Sequence, residues 1–342
     1  ATCRPTVAPS ATAFLDRENM RVLVVGGAGY IGSHMVKMLD QRGCRVTVLD
    51  DLSAGYRDAV VGGRFVLGDL GDEAVLGALF DADRFDAVMH FASYIQVGES
   101  VREPAKYYRN NTFKTQVLLD AMRSHQVNHF IFSSTAAIFG EPVRTPIDEE
   151  HPKNPINPYG RSKWMVEQML EDYDRAYGLK AVKLRYFNAA GADPEGRLGE
   201  RHDPETHLIP LVLQAAGGRR PNVTVFGADY DTPDGTCIRD YIHVADLCEA
   251  HWLALRRLWE GGASAAYNLG NGNGFSVREV IDTARTVSGR DFTVVYGERR
   301  PGDPARLVAD SRRARTELGW TPRYAELATI VEHAWHWETR QR

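Results

Sequence analysis

The chain has 342 residues, of which 43% are hydrophobic and 25% are charged, and it carries a formal net charge of −4. These values are typical of a soluble protein with one large domain or two smaller ones. The basic residues are scattered, mostly as isolated pairs, so the sequence predicts no nucleic-acid partner. No apolar run approaches the roughly 20 residues that cross a bilayer, so it predicts no membrane partner either.

Residues 1–19 lack the basic segment and apolar core of a secretory signal, and we interpret them as a disordered leader before the first strand. The four cysteines show no CxxC spacing, which is typical of reduced thiols and favours a cytoplasmic protein. The eleven histidines form no recognisable ligand array, and His333 and His336 lie in a Trp-rich segment where packing is the commoner role. The sequence therefore predicts no metal site.

Strand and helix patterns alternate through the first half of the chain. The predicted buried strands are Arg21–Val25, Arg45–Leu49, Arg64–Leu67, Ala87–His90, His129–Phe132 and Lys180–Arg185. The predicted helical segments between them include Tyr30–Gln41, Pro104–Ser124 and Tyr159–Tyr177. This alternation predicts an α/β fold with a doubly wound parallel sheet, a Rossmann-like domain over residues 20–187.

Beyond about Asn188 the alternation breaks, and Gly, Pro and Asp become frequent. We interpret residues 188–342 as a smaller C-terminal α/β lobe that binds substrate, with a segment near 236–257 returning to the first domain. The segments 104–124 and 159–177 carry more apolar side chains than one sheet face requires. That excess indicates either a helix-bundle homodimer or, more simply, core packing.

The glycine turn Gly26–Gly32, with the sequence GGAGYIG, follows the first predicted strand and opens the first helix. Glycines there permit a tight turn and the close approach of a phosphate, which the N–H groups of the helix N-terminus attract. Asp50 ends the second strand, where a carboxylate can accept both adenosine-ribose hydroxyls and would repel the extra phosphate of NADP. Together these features favour NAD, although each alone is also typical of an ordinary turn. Asp69-Leu70 after the third strand either contacts the adenine or only forms a turn.

Tyr159 and Lys163 are spaced i, i+4 at the start of a predicted helix, so they share one face. A free phenol has a pKa of about 10, and a neighbouring ammonium, with the cofactor's positive ring, would favour the phenolate as a base. The hydroxyls of Ser133–Thr135 follow a predicted strand at its carboxyl end, where open parallel sheets bind ligands. Either feature alone has a structural explanation, but their combination behind a glycine turn predicts a catalytic site.

With these motifs the chain resembles the extended short-chain dehydrogenase/reductases and, among them, the UDP-glucose 4-epimerases. The resemblance runs from about Met20 almost to the end of the chain. Beyond the glycine turn, Ser133–Thr135 and Lys163, it rests on the motifs His90–Ser93, Val97–Ser100, Tyr107–Asn111, Asn157–Tyr159, Arg185–Asn188, Arg239–His243, Tyr267–Gly270 and Arg300–Asp303.

The resemblance implies Tyr159 as the catalytic base, Thr135 as its hydrogen-bonding partner, and Lys163 as the partner of the phenolate and of the cofactor ribose. The residues assigned to NAD are Gly26, Gly29, Tyr30, Ile31, Gly32, Asp50, Asp51, Ser53, Asp69, Leu70, Phe91, Ala92, Ser93, Asn110, Ser133, Tyr159, Lys163 and Tyr186. Those assigned to the UDP-sugar are Thr135, Asn188, Leu208, Phe226, Arg239, Arg300 and Asp303. Two arginines can neutralise a diphosphate with forked hydrogen bonds, and an aspartate can accept ribose hydroxyls.

The implied activity is NAD-dependent 4-epimerisation of a UDP-hexose, UDP-glucose or UDP-galactose, through a transient 4-keto sugar. Tyr159 would remove the 4-hydroxyl proton while hydride passes to NAD, later to return to the other face of the sugar. A 4,6-dehydratase is disfavoured, because Thr135 is followed by Ala136-Ala137, which cannot act as acid or base. Epimerases for UDP-N-acetylhexosamines, UDP-xylose/arabinose or UDP-glucuronate stay open as alternatives. A non-enzymatic dinucleotide sensor is the weaker alternative from another class.

Two positions decide details of this resemblance. Ile95 stands where some bacterial epimerases have a Lys near the pyrophosphate, so that contact is missing or supplied otherwise. Leu307 occupies the position that widens or narrows the sugar pocket, and its intermediate size leaves acceptance of N-acetylated sugars open. The sequence therefore predicts the class of reaction more sharply than the preferred sugar.

Overall fold

A computed structural model describes residues 19–300 and 303–340 of the chain. The predicted leader, residues 1–19, lies outside these described residues except for Asn19. None of the helices within the two described ranges is long and apolar enough to pass through a membrane.

Fourteen strands form in the described residues. They are β1 (Arg21–Val25), β2 (Arg45–Asp50), β3 (Arg64–Leu67), β4 (Ala87–His90), β5 (His129–Thr135), β6 (Lys180–Tyr186), β7 (Asn188–Ala190), β8 (Val223–Phe226), β9 (Ile238–Arg239), β10 (Tyr241–His243), β11 (Ala265–Leu269), β12 (Phe275–Ser276), β13 (Val294–Gly297) and β14 (Arg306–Leu307). Seven of them make one parallel sheet in the order β11-β6-β5-β4-β1-β2-β3. The predicted doubly wound parallel sheet is therefore confirmed.

Eleven α-helices form in the same residues. They are α1 (Tyr30–Gln41), α2 (Glu73–Ala82), α3 (Val97–Arg102), α4 (Pro104–Tyr107), α5 (Lys114–Ser124), α6 (Pro158–Tyr177), α7 (Leu208–Ala216), α8 (Val244–Trp259), α9 (Val277–Ser288), α10 (Arg312–Leu318) and α11 (Leu327–Arg340). A π-helical segment, Tyr108–Phe113, joins α4 to α5, and 3-10 turns lie at Arg57–Ala59 and Ala136–Ile138.

The central sheet is buried on both faces, which explains why its strands are nearly continuous apolar runs. In β1, Val22 and Val24 belong to a core that includes side chains of α1 and α8. Leu23 and Val25, which alternate with them, belong to a second core with α2, α5 and α6. This alternation follows from the two-residue period of a strand, and it places one helical layer on each side of the sheet.

A smaller α/β lobe begins where the chain leaves the carboxyl end of β6. Its core consists of side chains from α7, α9, α11 and the short strands around them, among them Val212, Val280 and Ile330. Its strands pair as β7 with β10, β8 with β13, and β9 between β12 and β14. This second core confirms the predicted smaller C-terminal lobe.

The larger domain draws on two separate stretches of chain. β11 pairs with β6 as an edge strand of the central sheet, although no strand of that sheet is predicted in this part of the sequence. The helix before it, α8, packs on the same core as α1. Both elements come from beyond residue 188, so the boundary between the domains is not a single point in the chain.

Candidate active site

The glycine turn joins β1 to α1 at the carboxyl edge of the sheet. Gly26 has a φ of +81°, and a Cβ there would lie 2.4 Å from the backbone nitrogen of Ala92. A Cβ on Gly32 would lie 2.1 Å from the carbonyl oxygen of Gly26, so only glycine lets the helix approach the turn this closely. Gly29 is the N-cap and provides no side-chain cap, which leaves N–H groups of the first helical turn available to an anion.

Asp50 lies at the end of β2, beside this turn. Its Oδ2 accepts a hydrogen bond from the Ala28 N–H at 2.9 Å, and its Oδ1 accepts one from the Leu52 N–H at 2.8 Å. Burial raises the pKa of this carboxyl, while the two backbone hydrogen bonds lower it. Each carboxylate oxygen has further lone-pair capacity, so Asp50 can close the turn and still accept hydroxyl hydrogen bonds.

The other residues that the sequence places at the adenosine end have structural partners of their own. The Oδ1 of Asp51 accepts the Ser53 N–H at 2.9 Å on an exposed loop. Asp69 accepts a backbone N–H at 2.8 Å and forms an ion pair with Lys114 at 2.5 Å, while Leu70 is buried in the core. The turn interpretation therefore accounts for the observed contacts of Asp69.

A local cap positions Tyr159 and Lys163 at the start of α6. Asn157 is the N-cap, its Oδ1 accepts the Gly160 N–H at 2.8 Å, and Pro158 takes the first helical position. Because the cap fixes where the helix begins, Tyr159 lies one turn before Lys163 on the same face. The Asn-Pro-Tyr motif thus sets the position of the tyrosine by local interactions alone.

Four residues from β5, α6 and α8 meet in what we call the buried centre, namely Ser133, Tyr159, Lys163 and His251. None of them is more than 9% exposed. The Lys163 Nζ donates to the carbonyl oxygen of Ser133 at 2.9 Å and to the Oγ of Ser93 at 2.6 Å. The structure therefore brings the Tyr-x-x-x-Lys motif to the carboxyl end of β5.

Burial dominates the acid–base properties of the two motif residues. It raises the pKa of Tyr159 above the usual phenol value, and a hydrogen bond with Thr135 is the influence that lowers it. Burial also lowers the pKa of Lys163 to about 7. The ammonium group of Lys163 donates to Ser93 and Ser133, and its predicted effect on the phenol, together with the cofactor's positive ring, stays a prediction.

No sequence motif points to His251, which lies on α8. Its Nε2 is 2.8 Å from the Oγ of Ser133, and its Nδ1 is 2.8 Å from the carbonyl oxygen of Leu247. Because a carbonyl can only accept, Nδ1 carries the proton and Ser133 donates to Nε2. Burial lowers the pKa of His251 to about 4, so the ring is neutral at pH 7.

His251 also contacts two of the predicted cofactor residues. Its ring centroid lies 5.0 Å from that of Phe91 and 6.4 Å from that of Tyr186. His251 and Ser133 are 118 positions apart in sequence, so local patterns carry no information about this contact. One residue of α8 therefore contacts three side chains from earlier elements of the chain.

A buried ion pair supports α6 one turn beyond Lys163. The guanidinium of Arg185 on β6 donates to both carboxylate oxygens of Glu167, with nitrogen–oxygen distances of 2.6, 3.0 and 3.2 Å. The Oγ of Ser134 donates to the same carboxylate at 2.6 Å. The side chains of Arg185 and Glu167 are 4% and 0% exposed, so these charged hydrogen bonds hold α6 against β5 and β6. Sequence reasoning missed this pair as well.

Asn110 lies in the π-helical segment between α4 and α5. Its Nδ2 donates to the Oδ1 of Asn111 at 3.1 Å, and Asn111 in turn holds the backbone of Tyr94 and the Oγ of Ser162. The predicted helix Pro104–Ser124 is therefore present but not regular. π-Helical turns occur often at functional sites, and this one adjoins the residues around Ser93.

Four substrate candidates of the smaller lobe form a second group, which we call the arginine rim: Phe226, Arg239, Arg300 and Asp303. Arg239 forms an ion pair with Asp303 and also donates to the carbonyl oxygen of Ile238 at 2.8 Å. The Cζ of Arg300 lies 4.0 Å from the ring centroid of Phe226, which is a cation–π contact. The rim thus concentrates two guanidinium groups, of which one is paired with a carboxylate.

The remaining substrate candidates lie at the starts of their elements. Asn188 begins β7, and its Nδ2 donates to the carbonyl oxygen of Asp240 at 2.9 Å. Leu208 is the first residue of α7 and packs against the core of the smaller lobe. Asn188 is therefore held by a hydrogen bond to the backbone, and Leu208 by apolar packing.

Leu307 and Ile95, the two positions that the resemblance leaves open, have different surroundings. Leu307 on β14 packs against a small apolar cluster that includes Ile138 and Phe139, just after Thr135. Ile95 lies between β4 and α3 and is 39% exposed. Leu307 therefore borders the segment that follows the catalytic candidates.

Comparisons with known proteins agree with this arrangement. A family model described as the NAD dependent epimerase/dehydratase family matches residues 22–270. The chain is 53% identical over 318 residues to a UDP-glucose 4-epimerase of Halalkalibacterium halodurans, covering 93% of this chain and 95% of that protein. A UDP-glucose 4-epimerase from Brucella ovis, solved in complex with NAD, is 52% identical with a TM-score of 0.91, covering 93% of this chain and 98% of that one.

The chain is also similar to a solved structure whose name includes two sugars. The UDP-Glc/GlcNAc 4-epimerase of Campylobacter jejuni is 44% identical with a TM-score of 0.83, covering 94% of this chain and 99% of that one. The resemblance that the motifs indicate is therefore confirmed. The chain belongs to the NAD dependent epimerase/dehydratase family, in its UDP-glucose 4-epimerase branch.

Proposed function

We propose that this protein is an NAD-dependent UDP-glucose 4-epimerase, which interconverts UDP-glucose and UDP-galactose in galactose metabolism. The observation that carries the proposal is the convergence of the glycine turn and the buried centre at the carboxyl edge of one parallel sheet. That edge is where sheets of this class bind dinucleotides. The names of the similar proteins support the same activity.

The residues at this edge fit NAD. The glycine turn with the uncapped N-terminus of α1 suits a pyrophosphate, and Asp50 has acceptor capacity for the hydroxyls of the adenosine ribose. The side chains proposed to line the rest of the cofactor are Tyr30, Ile31, Asp51, Ser53, Asp69, Leu70, Phe91, Ala92, Ser93, Asn110, Ser133, Lys163 and Tyr186. Bound NAD supplies the hydride acceptor for carbon 4 of the sugar and a positive ring that favours a phenolate at Tyr159.

Tyr159 is the proposed base, which takes the proton of the sugar 4-hydroxyl and later returns it. The interaction with Thr135 lowers the pKa of the phenol against the effect of burial. Lys163, whose pKa burial lowers to about 7, carries an ammonium group that can serve the phenolate and a cofactor ribose. These roles are general acid–base catalysis within a site that excludes water.

The arginine rim is the proposed binding site for the UDP group. Arg239 and Arg300 would donate to the diphosphate, and Asp303 would accept uridine-ribose hydroxyls. Arg239 and Asp303 form an ion pair with each other. When UDP binds, Arg239 would therefore either leave Asp303 for the diphosphate or contact both. Asn188, Leu208 and Phe226 complete the proposed contacts.

Acceptance of UDP-N-acetylhexosamines is the second candidate. It rests on Leu307, which is partly buried beside the segment that follows Thr135. Its side chain is of intermediate size, so it would neither clearly admit nor clearly exclude an N-acetyl group. A 4,6-dehydratase has no such support, since Ala136 and Ala137 follow Thr135 in a 3-10 turn and offer no acid or base.

We also propose a homodimer formed through adjoining surfaces of α3, the π-helical segment and α6. Val101, Phe113 and Met165 on these elements are 62%, 60% and 42% exposed. A second copy of the chain would cover these apolar side chains. Most of the apolar residues of α5, by contrast, are buried in the core, as the simpler interpretation of the excess predicts.

A cytoplasmic location is proposed on the state of the cysteines. Cys44, Cys237 and Cys248 are buried free thiols, as in proteins of reducing compartments. The proposed domains are residues 20–187 for NAD and residues 188–342 for the nucleotide sugar. Within the segment near 236–257, α8 is added to the first domain together with β11, because both pack there, whereas β9 and β10 pair with strands of the smaller lobe.

The test is a panel of UDP-sugars assayed with purified enzyme and no added cofactor. We expect rapid conversion of UDP-galactose to UDP-glucose and the release of bound NAD when the protein is denatured, because a redox-neutral reaction retains its cofactor. UDP-N-acetylgalactosamine should react more slowly. Enzyme shown to contain NAD that converts no UDP-hexose would overturn the proposal.

A further inference from the structure

A cluster beside the site described above brings together Glu200, His202, Glu205 and His207, all from the loop before α7, with His202 against the ring of Tyr30 and His207 next to Leu208. One potential ligand atom from each side chain lies within 4.8 Å of those of the other three. We propose that these four residues bind a divalent transition-metal ion, with Zn²⁺ the best suited. The proposal is independent of the epimerase activity and revises the prediction that the protein has no metal site.

The spacing of the donor atoms carries the proposal. The Nδ1 of His207 lies 2.8 Å from a Glu200 oxygen and 3.1 Å from a Glu205 oxygen. The Nδ1 of His202 lies 3.3 and 3.4 Å from oxygens of the same two glutamates. Four ligands at about 2.0–2.1 Å from a tetrahedral Zn²⁺ lie about 3.3 Å from one another. Both imidazoles thus present the same nitrogen to two carboxylates at separations close to those of a tetrahedral site.

The orientation of the His202 ring adds to this spacing. Its Nδ1 is buried and has no hydrogen-bond partner among the described residues, although it lies within ion-pair distance of Glu200 and Glu205. A ring N–H would lie in the plane of the imidazole, and here it is not aligned with either oxygen. Without a proton, the same nitrogen would have a lone pair to offer to an ion.

The charge of the cluster also matches a dication. The side chains of Glu200 and Glu205 are only 6% and 5% exposed, so both carboxylates need compensating charge. Two carboxylates and two neutral imidazoles neutralise one divalent ion. Imidazole nitrogens and carboxylate oxygens are both ligands of Zn²⁺, and four of them would complete a tetrahedral site, although structural zinc sites more often use cysteine.

The surroundings hold the proposed ligands in place. The Oε1 of Glu205 accepts the backbone N–H groups of Thr206 and His207, at 2.7 and 2.8 Å. The carbonyl oxygen of Glu200 accepts the indole N–H of Trp337 at 3.1 Å, which ties the loop to α11. Such secondary contacts orient metal ligands. The bound ion would therefore join the two ends of the 200–207 loop directly before α7.

The alternative occupant is a pair of protons on the histidines. Although burial opposes it, the two glutamates raise the pKa of His202 to about 9, so an imidazolium could also balance the carboxylates. The two possibilities differ in metal content and in the response to a chelator. The sequence pattern E-x-H-x-x-E-x-H is the feature that could have revealed the cluster.

The experiment measures metal content on the NAD-containing full-length enzyme, purified without a histidine tag and equilibrated with Zn²⁺. After removal of excess metal, we expect about one Zn²⁺ per chain. Treatment with a chelator should lower the Tm, and Zn²⁺ should restore it, with a difference of about 5 °C. Replacement by Co²⁺ should give the visible absorption of tetrahedral Co²⁺.

His202→Gln and Glu205→Gln should each abolish stoichiometric Zn²⁺ and the Tm response. The matched control is His125→Gln, which removes another histidine paired with a carboxylate, 3.2 Å from Asp81. It should retain both. If the cluster variants do not fold, the chelator and Zn²⁺ titrations of the wild type decide alone. Folded, NAD-containing wild type that holds no Zn²⁺ and shows no Tm response would overturn the metal site and establish a proton-balanced cluster, whatever the epimerase assay shows.

Discussion

The buried centre and the arginine rim hold polar groups in opposite ways. In the buried centre no residue is more than 9% exposed, and the hydrogen bonds of Lys163 and His251 go to backbone carbonyls and serine hydroxyls. In the rim, the side chains of Arg239 and Asp303 are 12% and 26% exposed and pair mainly with each other. The first group is therefore fixed by buried hydrogen bonds, while the second is held mainly by an ion pair that can be exchanged.

This difference indicates how the proposed reaction divides between the domains. A base and its partners must keep one geometry, and groups locked in a dry interior cannot easily rearrange. Recognition of a charged nucleotide requires partners that can be released and remade, which is easier near water. We therefore expect changes in the buried centre to affect kcat and protein stability, and changes in the rim to affect KM.

The largest expected effect is that of Tyr159→Phe. Removing the phenolic oxygen removes the proposed base, so kcat should fall by about 10³-fold or more, while bound NAD is retained. The measurement is the rate of UDP-galactose conversion, together with NAD released on denaturation. The control is Tyr177→Phe on the same helix, whose side chain is 51% exposed and which should leave kcat unchanged. A Tyr159→Phe enzyme with near wild-type turnover would show that the base is another residue.

Arg239→Ala should have a smaller effect, located in KM. Loss of a charged hydrogen bond to a diphosphate costs about 2 kcal/mol, so KM for UDP-galactose should rise by about 30-fold, with kcat changed less. Steady-state kinetics distinguish the two parameters. The control is Arg64→Ala, which breaks an exposed ion pair with Asp83 and should leave both parameters unchanged. A fall in kcat alone would contradict the division between the two regions.

The smallest expected effect concerns pH and the neutral ring of His251. Its pKa is about 4 in the folded protein and 6.5 as the ordinary value, so between these pH values the unfolded chain binds the additional proton. Folding free energy is therefore lost as pH falls through this window, by about 1–2 kcal/mol between pH 7 and pH 5 for this residue.

Denaturant unfolding of wild type and His251→Gln at pH 7 and pH 5 measures this contribution. Glutamine can still donate and accept hydrogen bonds but cannot take up a proton, so the variant should lose less stability on acidification than the wild type. His125→Gln, on the surface, serves as the control. Equal acid sensitivity of wild type and His251→Gln would mean that the ring is not held neutral by burial.

Much of the larger domain and of the proposed catalytic motif could be predicted from the sequence, because the features that define them are local. Within the seven-residue turn, Gly26 has a positive φ and a Cβ on Gly32 would meet the carbonyl oxygen of Gly26, and the Asn157 cap fixes Tyr159 within three residues. The central strands can be predicted from the sequence because a strand that is buried on both faces is a continuous apolar run. These constraints act over one turn or one strand, so the sequence by itself determined the fold class and the predicted catalytic motif.

Tertiary structure decided the features that depend on distant segments. His251 reaches Ser133 across 118 positions, and β11 completes a sheet whose other strands end at Tyr186. Only the packed interior reveals that Lys163 donates to Ser93 and Ser133 and that burial raises the pKa of Tyr159. Spacing in a sequence records local geometry, whereas desolvation and long-range hydrogen bonds depend on which surfaces the folded chain removes from water.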